Sequence, residues 1–255
     1  MGTECYLDLK ILTFEDVRHT LSPAWDRISQ DFYYLTKTCF GSDLSFEELS
    51  SHFLDVDALA VAYDRGALVG VSTMLCFNIP NRDEKAAYVS GALTHPRFQR
   101  IGLGSRLTCA VFCAAFPGAY GEIFRMQNSV IPFVTRTQNI AVYKMFSKWF
   151  KGVSKQGEKP APRYQFIINH VAEQMGWVLD ENNIQRGAYE KQMAPHLIPS
   201  LNEHDAQVFC GDYTWKIGLL SRFAFRVYYP VQYYFNKKKR KIWSKDWGQS
   251  FDLEK

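Results

Sequence analysis

The sequence of 255 residues lacks several patterns that identify common kinds of functional site. It contains no CxxC pair, no HxxxH or HxH pair and no GxSxG pentapeptide. We therefore expect neither a metal site nor a serine hydrolase with a nucleophile elbow. The N-terminus lacks a basic segment followed by an apolar run, so we predict no secretory signal and a cytoplasmic location, where the six cysteines stay free thiols.

The composition allows a packed core, and the charge is unevenly distributed. Hydrophobic residues make up 47% of the chain, which excludes a disordered or collagen-like protein. The formal net charge is +4, but residues 213–255 alone carry 10 basic and 3 acidic side chains, whereas residues 1–212 sum to −3. We predict one domain over residues 1–212 and an aromatic, basic C-terminal extension over residues 213–255.

The order of predicted elements indicates a mixed α/β fold. Apolar, β-prone segments predict strands at 5–12, 58–63, 67–77, 86–94 and 120–126, with shorter ones at 177–179, 184–189 and 206–210. Asp64-Arg65-Gly66 lies between the second and third of these and predicts a hairpin turn. Helices are predicted after Ser22-Pro23, after Ser45, and at 103–115 and 139–150, with an exposed loop at 151–163.

The segment THPRFQRIGLG, residues 94–104, carries the most information about function. It joins a predicted strand to a predicted helix, where unpaired backbone N–H groups and the positive end of the helix dipole favour an anion. Its two glycines let a diphosphate approach the backbone closely, and Arg97, Arg100 and Arg106 add positive charge. We interpret this segment as a phosphate site.

The same segment resembles the signature of the GNAT superfamily of acyl-CoA-dependent N-acyltransferases, Gln/Arg-x-x-Gly-x-Gly/Ala. The resemblance covers about residues 5–150 and implies a central mixed, mostly antiparallel sheet flanked by helices, here followed by the C-terminal extension. It implies that acetyl-CoA or another acyl-CoA is the co-substrate, that the loop amides hold its pyrophosphate, and that the preceding strand holds the thioester in a wedge beside its neighbour. The cofactor contacts that it implies are Leu93, Thr94, Gln99, Arg100, Ile101, Gly102, Leu103, Gly104, Ser105 and Asn139. A dinucleotide site is disfavoured because GxGxxG with an acidic residue about 20 positions later is absent.

Acyl transfer to an amine needs a proton acceptor and benefits from a proton donor for the leaving thiolate. The resemblance assigns the donor role to Tyr143, whose alternative is an aromatic packing residue. Glu122 is the first choice for the base, and a solvent-facing strand carboxylate is its alternative. Other candidate bases are Asp83, Glu84 and His95, each with an ordinary structural alternative. A second segment, residues 137–143, also resembles the superfamily, in the helix that carries its Asn and Tyr. No cysteine falls in this segment or in residues 94–104, so we expect direct transfer in a ternary complex.

The acceptor and the role of the extension are left open by the sequence. Arg186 and Tyr189 are candidates to line the acceptor pocket. We expect the acceptor to be a small-molecule amine; a protein or nucleic-acid amine, and a catalytically silent acyl-CoA-binding module, are the alternatives. Residues 217–235 have amphipathic spacing, and basic residues 237–241 follow them. This extension fits docking on the domain or on a second subunit, contact with a membrane surface, or binding of nucleic acid.

Overall fold

The computed structural model of the protein describes residues 9–15, 17, 21, 25–41, 45, 53–99, 103–116, 131–156, 158–189, 192–194 and 196–213. The strands are β1 (Leu9–Glu15), β2 (Ala58–Asp64), β3 (Ala67–Asn78), β4 (Lys85–Thr94), β5 (Pro132–Thr137), β6 (Phe150–Lys151), β7 (Ile184–Gln185) and β8 (Ala206–Tyr213). The α-helices are α1 (Trp25–Phe40), α2 (Leu103–Ala115), α3 (Ile140–Trp149) and α4 (Pro162–Gln174), and Pro96–Phe98 form a short 3₁₀ turn. None of these helices combines the length and the apolar character that crossing a membrane requires.

All the described strands belong to one sheet, in the order β1-β2-β3-β4-β5-β8-β6, with β7 also paired to β8. The pair β4 and β5 is parallel, and every other pair is antiparallel. A mixed, mostly antiparallel sheet flanked by helices is the predicted fold class, and the structure confirms it. The predicted hairpin is confirmed as well: β2 and β3 meet at Arg65 and Gly66, whose positive φ angles of 50° and 83° suit a tight turn.

The helices pack on both faces of the sheet. Leu75 of β3 packs against the core cluster that contains α1 and against the cluster that contains α4, so these two helices share a face. A Cβ atom built on Gly70 would meet Leu103 and Leu107 of α2, whereas the next residue, Val71, belongs to the α1 cluster. Because successive strand residues point to opposite faces, α2 lies on the other face of the sheet.

Several elements differ from the sequence prediction. The described first strand, Leu9–Glu15, extends beyond the predicted 5–12. The strand that follows α2 among the described residues is Pro132–Thr137, which was not predicted, and the predicted strand 120–126 lies outside the described residues. Helix α4 was also missed: the exposed loop predicted for 151–163 ends where Pro162 begins this helix. A proline is well suited to that position because the first helical N–H needs no partner within the helix.

Two further predictions fall outside the described residues. These are the helix expected after Ser45, apart from Ser45 itself, and the extension 213–255, apart from Tyr213, which is the last residue of β8. The strand predicted at 184–189 is reduced to Ile184–Gln185, which pair with the start of β8. Strand β8 itself is longer than the predicted 206–210 and lies inside the sheet, between β5 and β6.

Candidate functional site

The parallel strands β4 and β5 are paired over only part of their length. The pairing joins Ala87 to Phe133, Tyr88 to Val134 and Val89 to Thr135. Beyond these pairs β4 continues to Thr94 and β5 to Thr137, with no further pairing between them among the described residues. The pairing ends where β4 has an extra residue, Ser90, relative to β3, because Met74 pairs with Val89 and Thr73 pairs with Gly91. Such a bulge bends a strand and increases its twist, so β4 leaves its neighbour at this point. We call the region between the two strand ends the wedge.

The end of β4 contacts both layers of helices. Leu93 is 7% exposed and packs in the α1 cluster, whereas Thr94 points to the opposite face. A Cβ on Gly104 would lie 3.5 Å from the Thr94 Oγ1 atom, so α2 begins directly beside Thr94. The Gln99 side chain donates a hydrogen bond to the Thr94 carbonyl at 3.2 Å. The structure therefore brings together four of the predicted cofactor residues: Leu93, Thr94, Gln99 and Gly104.

The N-terminus of α2 is held by its own apolar side chains. Leu103 is 1% exposed and Leu107 is fully buried, and both face Gly70 of β3. No acidic residue lies in the first turn of α2, and Arg106 in that turn is exposed. The first backbone N–H groups of a helix lack intrahelical partners, so this end is suited to an anion. The predicted contacts Arg100, Ile101 and Gly102 lie outside the described residues.

Helix α3 approaches the same end of α2. The Ser105 hydroxyl of α2 lies 3.9 Å from the Met145 Sδ atom of α3. Asn139, a predicted cofactor contact, is the N-cap of α3: its Oδ1 accepts a hydrogen bond from the Ala141 N–H at 2.9 Å. Its backbone carbonyl oxygen also accepts a hydrogen bond from the Tyr143 N–H at 3.1 Å. Asn139 therefore has a structural role at the start of α3, and its side-chain nitrogen Nδ2 has no hydrogen-bond partner among the described residues.

Tyr143, the predicted proton donor, is held on the β8 side of α3. Its ring lies 4.7 Å from the Phe209 ring, centroid to centroid. Its hydroxyl accepts a hydrogen bond from the Gln156 N–H at 3.1 Å and lies 3.4 Å from the Ser154 carbonyl oxygen. These contacts anchor the segment that follows β6, and they are the contacts of a packing residue, the second role that the sequence leaves open for Tyr143.

The candidate bases lie in different parts of the molecule. Glu122 is outside the described residues. Glu84 pairs with Arg82 and Arg163 just before β4 begins, and since Thr94 is ten residues further along, about 30 Å separates the two at the rise of a strand. The neighbouring Asp83 is exposed at that same end. The His95 Nδ1 atom accepts a hydrogen bond from the Arg97 N–H at 3.2 Å, so this histidine caps the 3₁₀ turn.

Polar groups that the sequence analysis did not identify lie where the pairing of β4 and β5 ends. The Thr73 and Ser90 hydroxyls are 2.8 Å apart at the bulge. Arg136 follows Thr135, the last β5 residue paired with β4, and its guanidinium lies 4.7 Å from the Trp177 ring centroid and 5.5 Å from that of Tyr189. No local pattern marks these groups, because their proximity depends on which strands pair.

A cysteine also lies near the end of β4. Burial raises the pKa of the Cys39 thiol to about 11, although a hydrogen bond with the Thr94 backbone opposes this shift. The thiol is therefore neutral at physiological pH and is a weak nucleophile. Within the described ranges, no group of three or more His, Cys, Asp or Glu side chains is placed to hold a metal ion.

Comparison with known proteins gives likeness in structure only. No family model matches the chain, and no curated protein matches it. Naa50 from Arabidopsis thaliana, solved in complex with the bisubstrate analogue CoA-Ac-MVNAL, is 10% identical, with a TM-score of 0.40 over 81% of this chain and 100% of that one. The ribosomal-protein-S18-alanine N-acetyltransferase from Escherichia coli is 13% identical, with a TM-score of 0.39 over 83% of this chain and 97% of that one.

A third solved structure is a GCN5-related glucosamine N-acetyltransferase region of a fungal multi-domain GH3 beta-N-acetylglucosaminidase. It is 16% identical, with a TM-score of 0.37 over 72% of this chain, and this chain spans 18% of that protein. At these TM-scores the likeness carries no argument by itself.

Proposed function

We propose that this chain, which resembles the GNAT superfamily in its motif and in its fold, is an N-acyltransferase that takes an acyl group from acyl-CoA. The observation that carries the proposal is the short parallel pairing of β4 with β5, which ends at Val89. Beyond it β4 continues to Thr94, which lies beside the N-terminus of α2. The first turn of α2 belongs to the same segment that matches the superfamily signature. The most economical donor is acetyl-CoA.

The residues present fit the diphosphate of such a donor. Gly104 leaves the backbone of the first turn uncovered, and the nearest atom to a Cβ built there is Thr94 Oγ1 at an ordinary contact distance of 3.5 Å. The turn contains Arg106 and no acidic side chain. Backbone N–H groups in this turn, with the loop residues Arg100, Ile101 and Gly102, would hold the diphosphate, and β4 from Gly91 to Thr94 would hold the pantetheine arm.

In the proposed reaction the acceptor amine attacks the thioester carbonyl carbon directly. A carbon–nitrogen bond forms and the carbon–sulfur bond breaks, and the electron pair of that bond leaves with the sulfur. The nitrogen gives up one proton to a base, and the thiolate takes one proton to become the thiol. Attack of the amine gives a tetrahedral intermediate, and loss of the thiolate ends it. Backbone N–H groups at the end of β4 would stabilise the oxyanion of this intermediate.

The groups that move these protons are also proposals. Glu122 remains the proposed base. The resemblance implies Tyr143 as the proton donor, but its contacts with Phe209 and Gln156 favour the packing role, and we propose that role for it. The neutral thiol of Cys39 supports direct transfer without a cysteine-bound intermediate.

The acceptor is proposed to be the primary amine of a small molecule. The experiment that tests the function is incubation of the purified full chain with isotopically labelled acetyl-CoA and a cell extract, followed by mass spectrometry of separated metabolites, proteins and nucleic acids. Label in a small amine is the expected result. Label in protein or nucleic acid would show that the acceptor is a macromolecule and not a small amine. Acetyl-CoA binding without label in any fraction would identify a catalytically silent acyl-CoA-binding module.

A further inference from the structure

The accessibility of β4 changes where its pairing with β5 ends. Residues 86–88 are buried, whereas residues 89–91 are half-buried and Ala92 is exposed. The last pair of the two strands, Val89 with Thr135, marks this boundary. We call this pair the vertex of the wedge. Strand β4 therefore has accessible surface on the wedge side of the vertex and almost none on the side where the two strands are paired.

On the α2 face of the sheet, Phe133 fills the space beyond the vertex. Phe133 precedes Thr135 by two residues on β5, so the two side chains lie on the same face. Phe133 is 1% exposed, and its ring lies 5.1 Å from the ring of Phe112 in α2 and 4.9 Å from the ring of Phe150 in β6, centroid to centroid. Both neighbouring rings are buried as well.

On the opposite face, Tyr88 has the equivalent position. It pairs with Val134, one position before the vertex, and is 2% exposed. Its ring meets that of Trp177 edge-on, with centroids 5.1 Å apart, and its phenol group interacts with the Arg136 side chain. A buried aromatic side chain thus lies beyond the vertex on each face of the sheet. We call Phe133 and Tyr88 together the aromatic floor.

The proposed position of the donor brings its acyl group to the aromatic floor. With the diphosphate at the N-terminus of α2, the pantetheine arm begins beside Thr94. From Thr94 back to Val89, β4 covers about 17 Å at the rise of a strand, and an extended pantetheine arm has a comparable length. The thioester then lies at the vertex, so the carbon atoms of the acyl group beyond the carbonyl reach the floor.

A longer acyl chain would have to displace packed rings. Protein interiors are close-packed, and extra methylene groups forced into them drive side chains from their preferred rotamers. We propose that the aromatic floor limits the transferred group to acetyl or propionyl. This inference rests on the proposed function and adds the class of its acyl donor. Phe133 and Tyr88 take no part in the chemistry; they determine specificity by occupying the space that a longer chain would need.

Calorimetric titration of the purified full chain with acetyl-, propionyl-, hexanoyl- and octanoyl-CoA tests the proposal without an acceptor. We expect acetyl- and propionyl-CoA to differ in affinity by less than about fourfold, the effect of one CH₂ group. Octanoyl-CoA should bind about 10- to 100-fold more weakly, the factor that corresponds to overpacking a core. An apolar tunnel at the vertex would instead strengthen binding by about fourfold for each buried CH₂ group. Equal or tighter binding of octanoyl-CoA would therefore overturn the proposal.

Variants of the floor test the two residues themselves. Phe133→Ala and Tyr88→Ala each leave space on one face, so the variant that opens the face entered by the chain should bind octanoyl-CoA within about threefold of acetyl-CoA. Phe32→Ala is the matched control, because it removes an equally buried ring from the α1 cluster, and it should keep the wild-type ratio. A wild-type ratio in both floor variants would overturn the role of these residues.

The outcomes separate this inference from the proposed function. Failure of all four acyl-CoAs to bind the wild type would refute the proposed function itself. Binding of acetyl-CoA together with equal or tighter binding of octanoyl-CoA would overturn the limit on chain length alone and leave acyl transfer standing. If neither floor variant folds, the series measured on the wild type decides.

Discussion

The Ser105 hydroxyl lies 3.9 Å from the Met145 sulfur, so the first turn of α2 touches the middle of α3. Tyr143 precedes Met145 by two residues, and successive residues of an α-helix are rotated by about 100°. Tyr143 therefore leaves α3 on nearly the opposite side, where its ring packs on Phe209. The face of α3 that meets the proposed diphosphate site is the face of Met145.

This geometry predicts the effect of removing the Tyr143 hydroxyl. In Tyr143→Phe the Gln156 N–H loses its acceptor, while the ring keeps its contact with Phe209. We expect the free energy of unfolding to fall by about 1 kcal/mol and kcat to change by less than about threefold. Urea unfolding and steady-state kinetics measure the two quantities. A large loss of kcat with unchanged stability would instead make Tyr143 the proton donor.

A second prediction concerns the packing of α2 against β3. A Cβ atom on Gly70 would lie 2.7 Å from Leu107 Cδ1 and 3.3 Å from Leu103 Cδ2, and both leucines are almost fully buried. Gly70→Val should therefore overpack this contact and lower the free energy of unfolding by about 1–3 kcal/mol. Chemical denaturation checks this value. Gly104→Ala is the matched control, because its Cβ meets only Thr94 Oγ1 at 3.5 Å, and equal stability of the two variants would contradict the described packing.

A third prediction concerns pH. Burial acts to raise the pKa of Asp180, but hydrogen bonds from the Ile184 and Asn182 N–H groups and from Arg186 outweigh it and hold the pKa below its usual value of 3.8. A carboxylate with a lowered pKa stabilises the folded state above the pKa of the unfolded chain, and this stabilisation is lost as the pH falls through the folded pKa.

Asp180→Asn should therefore lower Tm at pH 6, and the difference from the wild type should shrink below about pH 4. Thermal unfolding followed by circular dichroism at several pH values measures it. A difference in Tm that is the same at pH 6 and at low pH would show that the charge of Asp180 does not matter.

The sequence predicted the elements whose signals are local. The hairpin has β-prone strands on both sides of Asp64-Arg65-Gly66, and α2 lies between a Gly-rich loop and the Phe116-Pro117-Gly118 stop. The predicted boundaries of both hairpin strands and of α2 lie within one residue of the described boundaries. The mixed sheet followed from the order of such elements together with the family resemblance.

The elements that were missed depend on partners distant in sequence. Strand β5 has six residues and begins with Pro132, and it is a strand because β4 and β8 pair with it on either side. Helix α4 has many polar residues, and its buried residues are Ile167, Ile168, Val171 and Ala172. Neither segment has a periodic pattern strong enough to be recognised before its partners are known.

Only part of the candidate site was predicted from the sequence. The motif located Thr94, Gln99 and Gly104, which the structure brings together at the end of β4. Of the groups around Arg136, only Tyr189 was named from the sequence, as a candidate for the acceptor pocket. Trp177, Gln185 and Arg136 itself were not, because the two partners reach Arg136 from segments more than 40 residues away. Sequence spacing carries no information about such a cluster.

Calorimetric titration of acetyl-CoA into the wild type and into Gly104→Glu measures whether the N-terminus of α2 binds the diphosphate of an acyl-CoA. The added carboxylate would cover the first turn and repel the diphosphate, so affinity should fall at least about 100-fold while the protein stays folded. Gly104→Ala, which adds bulk without charge, should lose less. An equal dissociation constant for the wild type and for Gly104→Glu would show that the diphosphate does not bind at this helix N-terminus.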